Sequence, residues 1–168
     1  MKAFFKGFVY AFNGVKYCLL HERNFRFHAA LMIYMFGYLI VYDWFEVSRT
    51  EFAVLIALCA LVLALEAVNT AVERAVDLAA GREHSVLARI AKDAAAGAVL
   101  LAAVGAVAVG LVILLQPAAF RALFEYYKTH LYMLGVLALS LVLTLIFIFH
   151  GSKAQELRVD GGNQNGKV

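Results

Sequence analysis

The sequence predicts an all-α membrane protein, with an N-terminal amphipathic surface helix, a three-span core and an appended fourth transmembrane helix. Three observations carry this. The chain of 168 residues is 64% hydrophobic with a single proline, which leaves no room for a separate soluble domain. Apolar runs cover 29 to 45, 52 to about 72, 94 to 115 and 131 to 149, each close to the roughly 17 to 25 residues a helix needs to cross a bilayer. Charged residues collect at the flanks of these runs. The expected organisation is a core over residues 1–115 (surface helix 3–20, spans at about 29–45, 52–77 and 93–115), an outer connection and extra helix over 116–150, and a disordered tail over 151–168.

The first element is not a span. Phe4, Phe5, Phe8, Phe12, Val15 and Leu19 fall on one helical face while Lys2, Lys6, Asn13 and Lys16 collect toward the other, the pattern of a helix lying in the headgroup layer. A signal peptide is the competing reading. Lysines interrupt the segment throughout and no small-residue cleavage site follows it, so the helix is expected to stay on the mature protein.

The first span is clean only as far as Asp43, with Trp44 and Phe45 as interfacial extensions, and is expected to be short or tilted. The third reads DAAAGAVLLAAVGAVAVG from Asp93. Gly97, Gly105, Gly110 and its alanines suit close helix approach in lipid, at a bundle centre or an oligomer contact. Pro117 closes that helix, and 118–130 reads as a short interfacial connection rich in aromatics. The fourth span is apolar on all sides, with Ser140 and Thr144 as its polar groups. Residues 151–168 are polar and glycine-rich.

Twelve basic residues (Lys2, Lys6, Lys16, Arg23, Arg26, Arg74, Arg82, Arg89, Lys92, Lys153, Arg158, Lys167) flank one side of the four spans, and only Arg49, Arg121 and Lys128 flank the other. The positive-inside bias therefore places both termini and the 74–92 loop in the cytoplasm. The net charge of +3 is accounted for by these flanks and anionic lipid, with no nucleic-acid partner needed. Cys18 and Cys59 show no metal-ligand spacing and read as reduced apolar residues. Neither GxxxxGK[ST] nor GxGxxG occurs, so the usual phosphate-cradling loops are excluded.

The second span carries the chemistry. In EAVNTAVERAVD, residues 66–77, Glu66, Asn69, Glu73 and Asp77 fall within an arc of about 80° along about 16 Å of helix axis. An ionisable group near the middle of a span costs on the order of 3 kcal/mol, so this ladder is expected to face protein, a cavity or a bound ion. Glu22, in HERNFRFH at the junction of surface helix and first span, and Lys92 and Asp93, at the cytoplasmic end of the third span, are expected at the depth of Glu73 and Asp77. Acidic groups and a lysine meeting there suit Mg²⁺ and a nucleotide phosphate, with Mg-ATP the natural ligand.

Together, EAVNTAVERAVD, His84 in the following loop, AKDAAAGAVL at 91–100 and ERNFRFH at 22–28 resemble the small bacterial integral-membrane lipid kinases, the diacylglycerol kinase and undecaprenol kinase family. The resemblance covers about residues 3–115. It implies a homotrimer with active sites shared between protomers, and ATP-dependent phosphorylation of a lipid alcohol at the cytoplasmic surface. It further implies Glu66 as the catalytic carboxylate and Glu22 and Glu73 as the metal-binding glutamates. Asn69, Asp77, Lys92 and Asp93 would group around ATP, Tyr10 would touch the nucleotide, and His84 would lie in a loop closing over it.

Two departures stand out. Position 28 is His where the best-known diacylglycerol kinase has an acidic residue, and the short family members lack a fourth span, so the lipid substrate stays open. Each residue also has a plainer role available. Glu73 has Arg74 or Arg89 to pair with, Asp77 suits solvent, Asn69 suits helix packing, and Lys92 and Asp93 suit the anchoring and capping of a span. The rival function is a proton- or cation-coupled transporter or channel using the Glu66/Glu73 ladder, which predicts repeats and broken helices. The second span has neither Gly nor Pro between 52 and 80.

Overall fold

The computed structural model describes the backbone of residues 2–81 and 85–164 and the side chains of residues 4–81 and 85–150. Among these are six helices and no strand: α1 Lys2–His21, α2 Arg23–Val41, α3 Arg49–Ala80, α4 Val86–Leu114, α5 Pro117–Thr129 and α6 Leu131–Gln164. Four helices are long and apolar enough to cross a membrane, over Arg23–Val41, Arg49–Ala80, Val86–Leu114 and Leu131–His150. The chain forms two compact units, one of residues 1–30 with 132–168, the other of residues 31–131.

In the first unit α1 presents Phe4, Phe5, Phe8 and Phe12 outward, each more than 60% exposed, as a helix meant for an apolar medium would. It passes into α2 almost without a break. Glu22 alone leaves helical geometry, and the ladder continues across it through Glu22 N–H to the Cys18 carbonyl (2.9 Å) and Arg26 N–H to the Glu22 carbonyl (3.2 Å). Cys18, Phe25 and Ile148 are buried in this unit. The backbone of α6 continues as helix through 151–164, where composition predicts a disordered tail. Extending an existing helix fixes one residue per hydrogen bond and avoids the cost of a new nucleus.

The second unit is built on α3 and α4, which pack on each other. Helix α3 has 32 residues, about 48 Å, so its ends reach beyond a roughly 30 Å hydrocarbon layer. It starts earlier than its apolar run because Ser48 and Glu51 form a capping box. Ser48 Oγ accepts from Glu51 N–H (3.2 Å), and Ser48 N–H donates to Glu51 Oε2 (2.8 Å). It stops at Gly81, whose φ of +59° favours a residue without Cβ and whose N–H donates to the Asp77 carbonyl (3.1 Å). Similarly α4 starts at Val86, seven residues before the expected Asp93, because Ser85 caps it. Lys92 and Asp93 thus stand in its second turn and do not cap it.

Two boundaries differ from expectation. Helix α2 ends at Val41 and not at Phe45, because Tyr42 and Trp44 stack (centroids 4.0 Å apart, 12° between planes) and fold the chain across the helix end. Residues 117–129 form a helix of their own. The third span closes at Leu114, just ahead of Pro117 as expected, and the same proline occupies the first turn of α5, where a missing N–H costs nothing.

At this end of the unit the aromatics lock together. Tyr38 and Tyr127 share a hydroxyl–hydroxyl hydrogen bond, Tyr126 lies against Trp44 (5.1 Å) and Tyr42 (5.3 Å), and Phe45 meets Phe120 edge-on (5.9 Å). Gln116 joins the α2–α3 loop to the end of α4. Its Oε1 accepts from Glu46 N–H (3.0 Å), while Nε2 donates to the carbonyls of Glu46 (3.0 Å) and Ile113 (2.9 Å). Burial and the bond to Tyr38 push the Tyr127 phenol well above the usual tyrosine range.

Candidate functional site

The face of α3 turned to the interior carries Leu55, Val62, Glu66 and Thr70, all buried. These positions recur every four to seven residues, so the stripe that is apolar near Ser48 becomes polar from Glu66 onward. Burial falls along it. Glu66 is 4% exposed, Asn69 and Glu73 are half-buried, and Asp77 in the last turns is exposed. One helix thus carries carboxylates from an enclosed, low-dielectric level to water.

Side-chain partners follow the same gradient. Thr70 Oγ1 donates to the Glu66 carbonyl (3.1 Å), which satisfies the buried hydroxyl locally. Asn69 Nδ2 donates to Glu73 Oε1 (2.8 Å), an i,i+4 bond that fixes the amide and turns its oxygen the other way. That Oδ1 is buried and accepts no hydrogen bond among the described residues. Buried acceptors left open in this way are uncommon in folded chains.

At the open end Lys92 Nζ donates to Asp77 Oδ1 at 2.5 Å, tying α4 to α3 across a loop. The Asp77 and Lys92 side chains are 58% and 37% exposed, so this pair adds at most a few tenths of a kcal/mol and keeps the ammonium within reach of a ligand. Asp93 faces elsewhere. It pairs with Arg89 one turn back at 3.6 Å, both side chains being largely exposed, so the ladder and Asp93 are not brought together. Of the plainer roles open to Glu73, pairing with Arg74 or Arg89, the structure gives Arg89 to Asp93 and has Glu73 accept from Asn69.

Of the remaining predicted residues, Tyr10 and Glu22 belong to the first unit. Tyr10 is on the surface of α1 at 70% exposure, and Glu22 stands half-buried at the α1–α2 break. His84 lies outside the described residues. Among the described residues no three His, Cys, Asp or Glu side chains converge as a metal centre. Carboxylates stacked one per turn reach a cation singly, and the remaining ligands of a hard divalent ion are oxygens of water or phosphate. Thr70 was missed in the sequence although it is one turn from Glu66; its small polar side chain in an alanine-rich stretch carries no signal until the face is known.

A family model for prokaryotic diacylglycerol kinase matches residues 9–114. The chain belongs to this family. Prokaryotic diacylglycerol kinase relatives include the Synechocystis sp. protein named diacylglycerol kinase, 44% identical over 110 residues, which are 66% of this chain and 61% of that protein. Another is the Bacillus subtilis protein named undecaprenol kinase, 41% identical over 117 residues, 68% of this chain and 90% of that one. The chain thus spans about three fifths of the first relative and nine tenths of the second. No solved structure matches it. The family match ends where α4 ends, so α5 and α6 lie beyond it.

Proposed function

We propose that this protein is a lipid kinase that moves the terminal phosphate of ATP, in the presence of Mg²⁺, to the hydroxyl of a membrane lipid alcohol, either diacylglycerol or undecaprenol. The names of its relatives point to these two acceptors, and the observation that carries the reading is Glu66, a carboxylate 4% exposed in the middle of an unbroken span. Ionisable groups at the depth of a span mark functional sites, and a lipid hydroxyl arriving through the membrane is the group this one would act on.

The residues fit the reaction in order of depth. Glu66 accepts the proton of the lipid hydroxyl or orients it, a contribution of about 10²- to 10⁴-fold. The open Oδ1 of Asn69 accepts a hydrogen bond from the acceptor lipid or the nucleotide, and Glu73, held by Asn69 Nδ2, presents its second oxygen to a cation. Lys92 supplies a positive point charge for a phosphate at the aqueous end, exchanging Asp77 for the ligand. Bound Mg²⁺ would neutralise charge on the phosphates, as phosphoryl transfer requires. Glu22 and Glu73 are its proposed carboxylate ligands. Tyr10, Asp77, His84 and Asp93 complete the proposed nucleotide environment.

A homotrimer with shared sites accounts for two further facts. A metal centre is not complete among the described residues of one chain, and a Cβ built on Gly97, Gly105 or Gly110 of α4 would meet nothing within 4 Å. Packing within the chain therefore does not demand these glycines, and close approach of a second copy is the proposed reason for them. The site is proposed to open on the cytoplasmic side of the inner membrane with both termini, on the basic bias of the flanks.

The test is purified protein with Mg-ATP and diacylglycerol or undecaprenol, with and without Glu66→Gln. Phosphorylation of one lipid by the parent and none by the variant, at unchanged oligomeric mass, is expected. No phosphorylated product from any lipid alcohol would overturn the reading in favour of a channel or transporter.

A further inference from the structure

Arg26 stands apart from the site just described. It lies in the first unit, in the first turn of α2, and is 2% exposed. Its Nη1 donates to the carbonyl of Leu20 near the end of α1 (3.3 Å), and its Cζ sits 5.6 Å from the ring centroid of Phe147 on α6. Its Nε and Nη2 are buried and have no hydrogen-bond partner among the described residues. These two nitrogens form the side-on edge of the guanidinium, the edge whose parallel N–H bonds match two oxygens of one anionic group.

A buried, permanently charged group with its best edge empty calls for an anion. Among the described side chains of the first unit Glu22 is the sole carboxylate; it lies one turn before Arg26 and interacts with it electrostatically, while neither Nε nor Nη2 makes a hydrogen bond, so the fork itself stays open. Around it stand Lys6, Lys16, Arg23 and Arg26, which makes this unit a cationic element at the level where α1 presents its phenylalanines to lipid. Anions at that level of a membrane are the phosphates of lipid headgroups.

We infer that Arg26 is a binding site for the phosphate of an anionic membrane lipid, gripped by Nε and Nη2 and roofed by Phe147. Phe147 is itself 44% exposed, so a rotation of its ring admits a headgroup from the lipid side without displacing α6. The extra helix then has a role: it supplies an aromatic face that holds the guanidinium by cation–π attraction while its edge stays free. The inference is independent of phosphoryl transfer.

The experiment is native mass spectrometry of the full chain in a neutral detergent, with phosphatidylglycerol, phosphatidylcholine or soluble glycerol phosphate as probe. The parent chain is expected to retain one phosphatidylglycerol per chain, about tenfold more tightly than phosphatidylcholine, the scale of one charge-assisted fork. Soluble glycerol phosphate is expected not to displace it. Arg26→Gln should abolish the preference, and Arg26→Lys should lose most of it because an ammonium has no fork. Phe147→Ala should keep the preference and speed lipid exchange. Unchanged preference in folded Arg26→Gln overturns the site, as does displacement by glycerol phosphate at equal concentration, which would make the ligand aqueous. A change of oligomeric mass in Arg26→Gln at unchanged lipid retention would assign the fork to a second copy and also overturn it. If Arg26→Gln does not fold, undiminished preference in Arg26→Lys overturns it.

Discussion

The two ends of the second unit share α3 and α4 and differ in how completely their polar groups are used. Around Gln116 every amide atom is engaged, and the phenols of Tyr38 and Tyr127 bond each other. Around Asn69 one amide atom is engaged and the other is open, and beside it stand an enclosed acid and an exposed lysine. Satisfied polarity fixes geometry. Open polarity in an enclosed place stores a binding capacity, and its cost is borne by the packed end, where aromatic contacts and hydrogen bonds hold α2, α4 and α5 against the α2–α3 loop.

This contrast can be broken by substitutions at either end, and the largest effect is expected at Glu66. Glu66→Gln should cut lipid phosphorylation by about 10²-fold or more while helix content by circular dichroism stays that of the parent. Next comes Asn69→Leu, which fills the open acceptor with methyl groups. It should lower turnover by about ten- to a hundredfold, the scale of one buried hydrogen bond, with thermal midpoint changed little. A loss of stability equal to that of a core mutation would show that Asn69 is a packing residue and erase the difference between the ends.

The aromatic end should respond in the opposite sense. Gln116→Leu removes three hydrogen bonds and is expected to cost about 1–2 kcal/mol in denaturant-titrated stability, with activity per folded molecule unchanged. Tyr127→Phe is expected to cost about 1 kcal/mol by the same measurement. It also sharpens a pH prediction. The Tyr127 phenol titrates higher in the folded chain than its unfolded value of about 10, so above that pH the unfolded state holds fewer protons and stability falls as pH rises. In Tyr127→Phe this alkaline slope should be shallower. An equal slope would remove the tyrosine pair from the account.

Much of this was legible in the sequence for local reasons. The four spans, the surface helix and the ladder are periodicities within single helices, and Glu66 stands where the 3.6-residue repeat puts it, on the face with Val62 and Thr70. Helix ends were less legible. Ser48 and Ser85 extended α3 and α4 beyond their apolar runs through caps that hydropathy does not register, and the stacking of Tyr42 on Trp44 shortened α2. Pro117 was legible as the stop after the third span, but not as the start of α5.

By itself, then, the chain determined that it is helical and lipid-embedded, that an acid sits deep in its second span, and that its family is one of membrane kinases. Only the tertiary structure decided that Lys92 meets Asp77 and not Asp93, that the Asn69 oxygen is left open, that Tyr38 finds Tyr127, and that Arg26 is enclosed beneath Phe147. The reason is the rotation of one helix against another. A helix fixes its own faces through backbone periodicity, but which residue across the gap meets each face depends on how neighbouring side chains interlock, and no single stretch of sequence contains that information.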